Sequence, residues 1–83
     1  MYEEALVNSG VGVALNVILA YGMAHFASAD QIKPPSGAAG LKFPSQVMHM
    51  LVHHKQVIFT SSLIVFVLVF LSTVIGKYAI TLI

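Results

Sequence analysis

Two long apolar segments, separated by a polar stretch rich in helix breakers, set the pattern of this chain. From Val57 to Ile75 the sequence VIFTSSLIVFVLVFLSTVI runs nineteen residues without charge, glycine or proline, and Gly76 and Lys77 close it. At about 1.5 Å rise per residue the run matches the roughly 30 Å hydrocarbon core of a bilayer, which predicts a transmembrane helix over 57–76. Its polar side chains are the hydroxyls of Thr60, Ser61, Ser62, Ser72 and Thr73. A hydroxyl in a helix can bond back to a carbonyl one turn earlier, so these cost little in lipid.

The first segment, apolar from Ala5 to Ala27, predicts a second span over 4–28. Its texture differs because small residues recur. Ser9, Gly12, Asn16, Ala20, Ala24 and Ala27 fall three or four apart and form one stripe, along which another backbone can approach closely. Asn16 lies near mid-span, where an unpaired amide is costly, so an interhelical hydrogen bond is expected of it. On the later helix the slim face of Ser62, Val65, Val69, Ser72 and Gly76 is expected to meet the first helix. The bulky row Phe59, Leu63, Phe66 and Phe70 is left for lipid, a pigment ring or a neighbouring subunit. Ala27-Ser28-Ala29 has the small-x-small form of a signal-peptide cleavage site. Against that, Glu3 and Glu4 stand where a basic region belongs and the apolar run is long, so the segment reads as a retained span.

Residues 29–44, with Pro34, Pro35, Gly37, Gly40 and Pro44, read as an irregular loop. Pro44-Ser45 marks a helix start with Ser45 as N-cap, and 45–56 reads as an amphipathic extension that enters the second span without a breaker. One helix from Ser45 to Ile75 would measure about 46 Å, more than the hydrocarbon core. It must project beyond the membrane or bend its first turns onto the surface. Residues 77–83 form an apolar tail in which Lys77 snorkels and Tyr78 is interfacial. The expected fold is therefore an all-α membrane protein, one two-helix transmembrane hairpin over residues 1–83.

Composition narrows the setting. Of 83 residues 58% are hydrophobic and 8% charged, against the quarter or so that a soluble domain carries, so the exterior must be lipid or other protein. The lack of cysteine excludes disulfides, thiolate metal sites and a thiol nucleophile. A net charge of +1 gives no sign of nucleic-acid binding. Lys33, Lys42 and Lys55 lie in the connection, Lys77 flanks the other side, and Glu3 and Glu4 are opposite the loop. By the positive-inside rule the loop faces the cytoplasm, stroma or matrix of an inner, thylakoid or plasma membrane, with both termini across it.

Four histidines are the candidates for chemistry. His49 and His53 are i, i+4 on one helix face, His54 adjoins them, and His25 would lie at a similar depth in an antiparallel hairpin. Interfacial packing and headgroup contact is the first expectation for them. Ligation of a chlorophyll or haem is the second, and no metal site is assigned. Asp30 is the one carboxylate near enough in sequence to orient a ring, the support that a ligating histidine usually has, and a backbone carbonyl could substitute for it. Met48 and Met50 are explained by adaptable packing. Phosphate loops, dinucleotide fingerprints, hydrolytic triads, zinc-protease helices and paired intramembrane carboxylates are all missing from the sequence, which argues against an enzyme.

These features lead to a non-enzymatic accessory subunit of a multi-subunit membrane complex of respiratory or photosynthetic type, packed peripherally against other membrane subunits, with lipid, chlorophyll or haem as its candidate contacts. A basic loop between a small-residue helix and a second apolar helix is also similar to the pilins of conjugation-type secretion systems. That resemblance implies self-assembly, with copies of the chain as partners and Lys33, Lys42 and Lys55 lining the filament lumen. The topology and glycine-containing loop likewise resemble the smallest partner of the bacterial translocon, which implies a transport role. Gly76-Lys77-Tyr78-Ala79-Ile80 is similar to a Gly-Arg-Tyr-Ala-Ile stretch of a two-helix peripheral subunit of photosystem I, where it ends the first helix and not the last.

Overall fold

A computed structural model describes residues 1–83 and is helical, with no strand. Its elements are α1 (Glu3–Ala24), α2 (Ala29–Ile32), a 3-10 turn (Ala38–Gly40), α3 (Phe43–Gln56) and α4 (Ile58–Leu82). Helices α1 and α4, of 22 and 25 residues, are long and apolar enough to cross a membrane.

The chain between the two long segments is more ordered than the breaker count suggests. Helix α1 ends at Ala24, short of the expected limit, and the following Ser28 takes an extended conformation (φ −78°, ψ 167°). Its hydroxyl accepts the Gln31 amide while the Gln31 side chain accepts the Ser28 amide, a reciprocal cap that builds α2 inside the expected loop. Helix α3 starts at Phe43 with Lys42 in the N-cap position, and Pro44 sits in its first turn, where a missing N–H leaves nothing unpaired. Ser45 is therefore not the cap; its hydroxyl accepts from Gln31 Nε2 at 3.1 Å and ties α2 to α3.

The expected continuous entry into the second long helix is interrupted at Val57 (φ −125°, ψ 50°). A straight helix over 43–82 would measure about 60 Å. The longest dimension of the whole molecule is 46 Å, so the chain bends at this break. No glycine or proline is involved. The Ser61 hydroxyl donates to the His54 carbonyl across the break at 3.0 Å. At the other end α4 continues through Gly76 to Leu82, so the expected tail of 77–83 is helical except for Ile83.

Helices α1 and α4 lie antiparallel in a regular register. Glu4 meets Lys77 at 2.7 Å and Asn8 donates to Thr73 at 3.3 Å. Gly12 lies against Val65 and Val69, and Asn16 donates to Ser61. The α1 contacts advance by four residues and the α4 contacts lie on a row of residues four apart, with Gly12 seated between two members of that row, the pattern of i, i+4 rows interdigitating. The face of α4 turned to α1 is thus Ser61, Val65, Val69, Thr73 and Lys77. Of the face expected from sequence, Ser62, Val65 and Val69 do meet α1, whereas Ser72 is exposed and a Cβ on Gly76 would find nothing within 4 Å. A period alternating three and four drifts off a row that advances by fours. Gly12 is the true close approach, since a Cβ there would meet Val69 at 3.1 Å and Val65 at 3.3 Å.

On α1, Ser9 and Ala20 are fully buried, Asn16 nearly so, and Ala24 and Ala27 half-buried; Ala5 joins them one turn before the predicted stripe begins. The phenylalanine row splits. Phe59 and Leu63 are exposed, whereas Phe66 stacks on Phe70 and Phe70 lies against Tyr2 of α1.

Candidate functional site

The densest polar cluster lies where α1, α3 and α4 meet. Its centre is Asn16, set by α1 opposite the break at Val57. The bonding pattern fixes which atom does what. The Ser61 hydroxyl proton is directed to the carbonyls of His54 and Ile58, at 3.0 and 3.2 Å, so its oxygen can only accept from Asn16. Asn16 Nδ2 accordingly faces Ser61 and Ser62, at 3.1 and 3.2 Å. That leaves Asn16 Oδ1 toward His54 Nδ1, at 2.6 Å. A carbonyl oxygen has no proton to give, so His54 Nδ1 carries the hydrogen.

Asn16 thus bridges three residues of the other arm, and no buried side-chain nitrogen or oxygen in the molecule lacks a partner. A satisfied network of this kind rigidifies the junction, because each member would be costly if left alone in an apolar surround. One turn further along α1, the Lys55 ammonium lies 5.6 Å from the centre of the Tyr21 ring, within cation–π range.

A second cluster sits in the middle of α3, where the helix packs on α2. His49 Nδ1 approaches the main-chain oxygen of Gln31 at 2.5 Å, so this nitrogen too carries its proton. The rings of His49 and His53 stand edge to face with centres 4.3 Å apart. The orienting group is the Gln31 carbonyl of the short helix α2, the substitute that the sequence left open, while Asp30 is exposed. The sequence signal was available in Ser28-x-x-Gln31, a capping box that starts a helix and so aims its last carbonyls at whatever packs beyond.

The four histidines do not converge, and nowhere do three side chains able to ligate a metal lie together. His25 caps α1, exposed and edge-on to Phe26; His54 is turned inward to Asn16; His49 and His53 pair with each other. As candidate pigment or haem ligands they therefore separate into three environments. A shallow apolar cleft beside His49, lined by Ala38, Ala39, Phe43, Val47 and Met50, is the nearest space for an apolar group. Val13, Val17, Ile58, Phe59, Leu63 and Phe66 line an open apolar groove between α1 and α4. No protein family, curated protein or solved structure matches this chain.

Proposed function

We propose that the chain is a non-enzymatic accessory subunit of a multi-subunit membrane complex, a two-helix hairpin that packs at the periphery of larger subunits and holds lipid against them. The observation that carries this reading is the direction of its polar groups. Asn8, Asn16, Ser61, Ser62, Thr73 and His54 are spent on bonds between the chain's own helices. The outward faces of α1 and α4 are left to Leu6, Val11, Leu15, Ile18, Ile64, Leu68 and Ile75, all exposed. Such a molecule places nearly all of its surface against acyl chains or other helices, and its polar groups hold its own two arms together.

Charge supports the orientation. Lys77 is neutralised by Glu4, whereas Lys33, Lys42 and Lys55 at the loop end form no ion pair. Unpaired lysines on one side favour the loop on the cytoplasmic, stromal or matrix face, with both termini across the bilayer. The test is purification of the native membrane assembly in mild detergent. The chain should travel with larger subunits at fixed stoichiometry, and chemical crosslinks should fall on the outward residues of α1 and α4. Recovery only as a free, equally stable chain would reject the reading, and helical filaments of this one chain would replace it with a pilin-like polymer.

A further inference from the structure

The His49–His53 pair has a property the accessory role does not use. His49 donates its Nδ1 proton to the Gln31 carbonyl, so in the neutral ring the lone pair sits on Nε2 and the ring plane is held. A backbone carbonyl on the distal nitrogen is the support that ligating imidazoles have in metal sites, fixing tautomer and direction together. His53 is exposed and hydrogen-bonded to nothing, so its ring is free to turn.

Distance decides what the pair could hold. A cation bound about 2.0–2.1 Å from each of two imidazole nitrogens at a right angle puts the ring centres roughly 4.5 Å apart. The two rings stand 4.3 Å apart with planes at 72°. We propose that His49 and His53 form a two-imidazole site in the middle of α3 for a late first-row divalent cation, copper(II) before zinc or nickel, with solvent completing the coordination. Imidazole pairs follow the general affinity order that peaks at copper. Both rings bind as neutral imidazoles, His49 through Nε2. His54 takes no part, because its ring is turned away from the pair into the helix junction, where it meets Asn16. His25, at the end of α1, is the internal control.

The experiment is a Cu²⁺ titration of the full chain in detergent micelles, free of any polyhistidine tag, followed by calorimetry and electron paramagnetic resonance. The expected result is one ion per chain with two equatorial imidazole nitrogens in the spectrum. His53→Gln removes a ligand that holds nothing else in the fold, and should weaken binding at least about tenfold while leaving helicity unchanged. His49→Gln should do the same, with circular dichroism checking that the chain still folds, and the double variant should lose the two-nitrogen signal. His25→Gln should bind as the unaltered chain does. The site is refuted if His53→Gln keeps both affinity and spectrum, if His25→Gln abolishes binding, or if one ion is shared by two chains.

Discussion

Asn16 shows how much one residue can carry in this molecule. Its amide joins His54, Ser61 and Ser62, so Asn16→Leu would strip the acceptor from His54 and the donor from two hydroxyls. Leaving such groups unpaired costs about 1–3 kcal/mol where they are buried, and interhelical bonds within a bilayer fall toward the lower end. Asn16→Leu should destabilise the hairpin by about 1 kcal/mol, read as a lower midpoint in an SDS titration of the micelle-bound chain. The need for a partner was legible from an amide near mid-span. The partner was not, because His54 is 38 residues away and reaches Asn16 only after α3 has packed on α1. The glycines make the same point in opposite directions. Gly12→Val would drive a branched side chain into Val65 and Val69 and should cost about 1–3 kcal/mol in that titration. Gly76→Ala meets nothing within 4 Å and should stabilise α4 by up to about 1 kcal/mol. Composition alone ranks the two residues alike.

At the scale of elements, the reciprocal cap of α2 is a local device with a local consequence. Ser28→Ala removes the hydroxyl that accepts the Gln31 amide, worth about 1 kcal/mol at a helix start. Amide exchange at Ile32 and Lys33, whose N–H groups close α2 onto Ser28 and Ala29, should accelerate in this variant while α1 and α4 keep their protection. Equal acceleration in α4 would mean that the short helix is tied to the long ones more tightly than its bonds indicate. The persistence of α4 past Gly76 has a different origin. A glycine costs a helix about 1 kcal/mol, whereas backbone groups left unpaired in an apolar environment cost several each, so an uninterrupted ladder wins. The same balance explains why the break at Val57 was invisible from residue types: the Ser61 hydroxyl compensates it, and that side chain lies four residues downstream.

For the molecule as a whole, the arrangement makes both termini share one end and the connection occupy the other, as the Glu4–Lys77 pair and the antiparallel register require. The chain has no cysteine, so single substitutions report topology directly. In sealed membranes Lys42→Cys and Ile83→Cys should react with an impermeant maleimide from opposite sides; labelling of both from the same side would overturn the hairpin orientation. Residue order alone determined that this chain is helical, that two of its segments are long and apolar enough for a bilayer, and that its lysines gather in the connection. Those properties are sums over local residues, and periodicity and hydropathy carry them. Tertiary packing decided which end of the slim face of α4 stays on α1, that the chain bends rather than projects and does so at Val57, the partner of Asn16 and the carbonyl that steadies His49. Each depends on which residues, distant along the chain, come to lie a few ångströms apart, and a row of fours on each helix becomes visible only when the two are laid side by side.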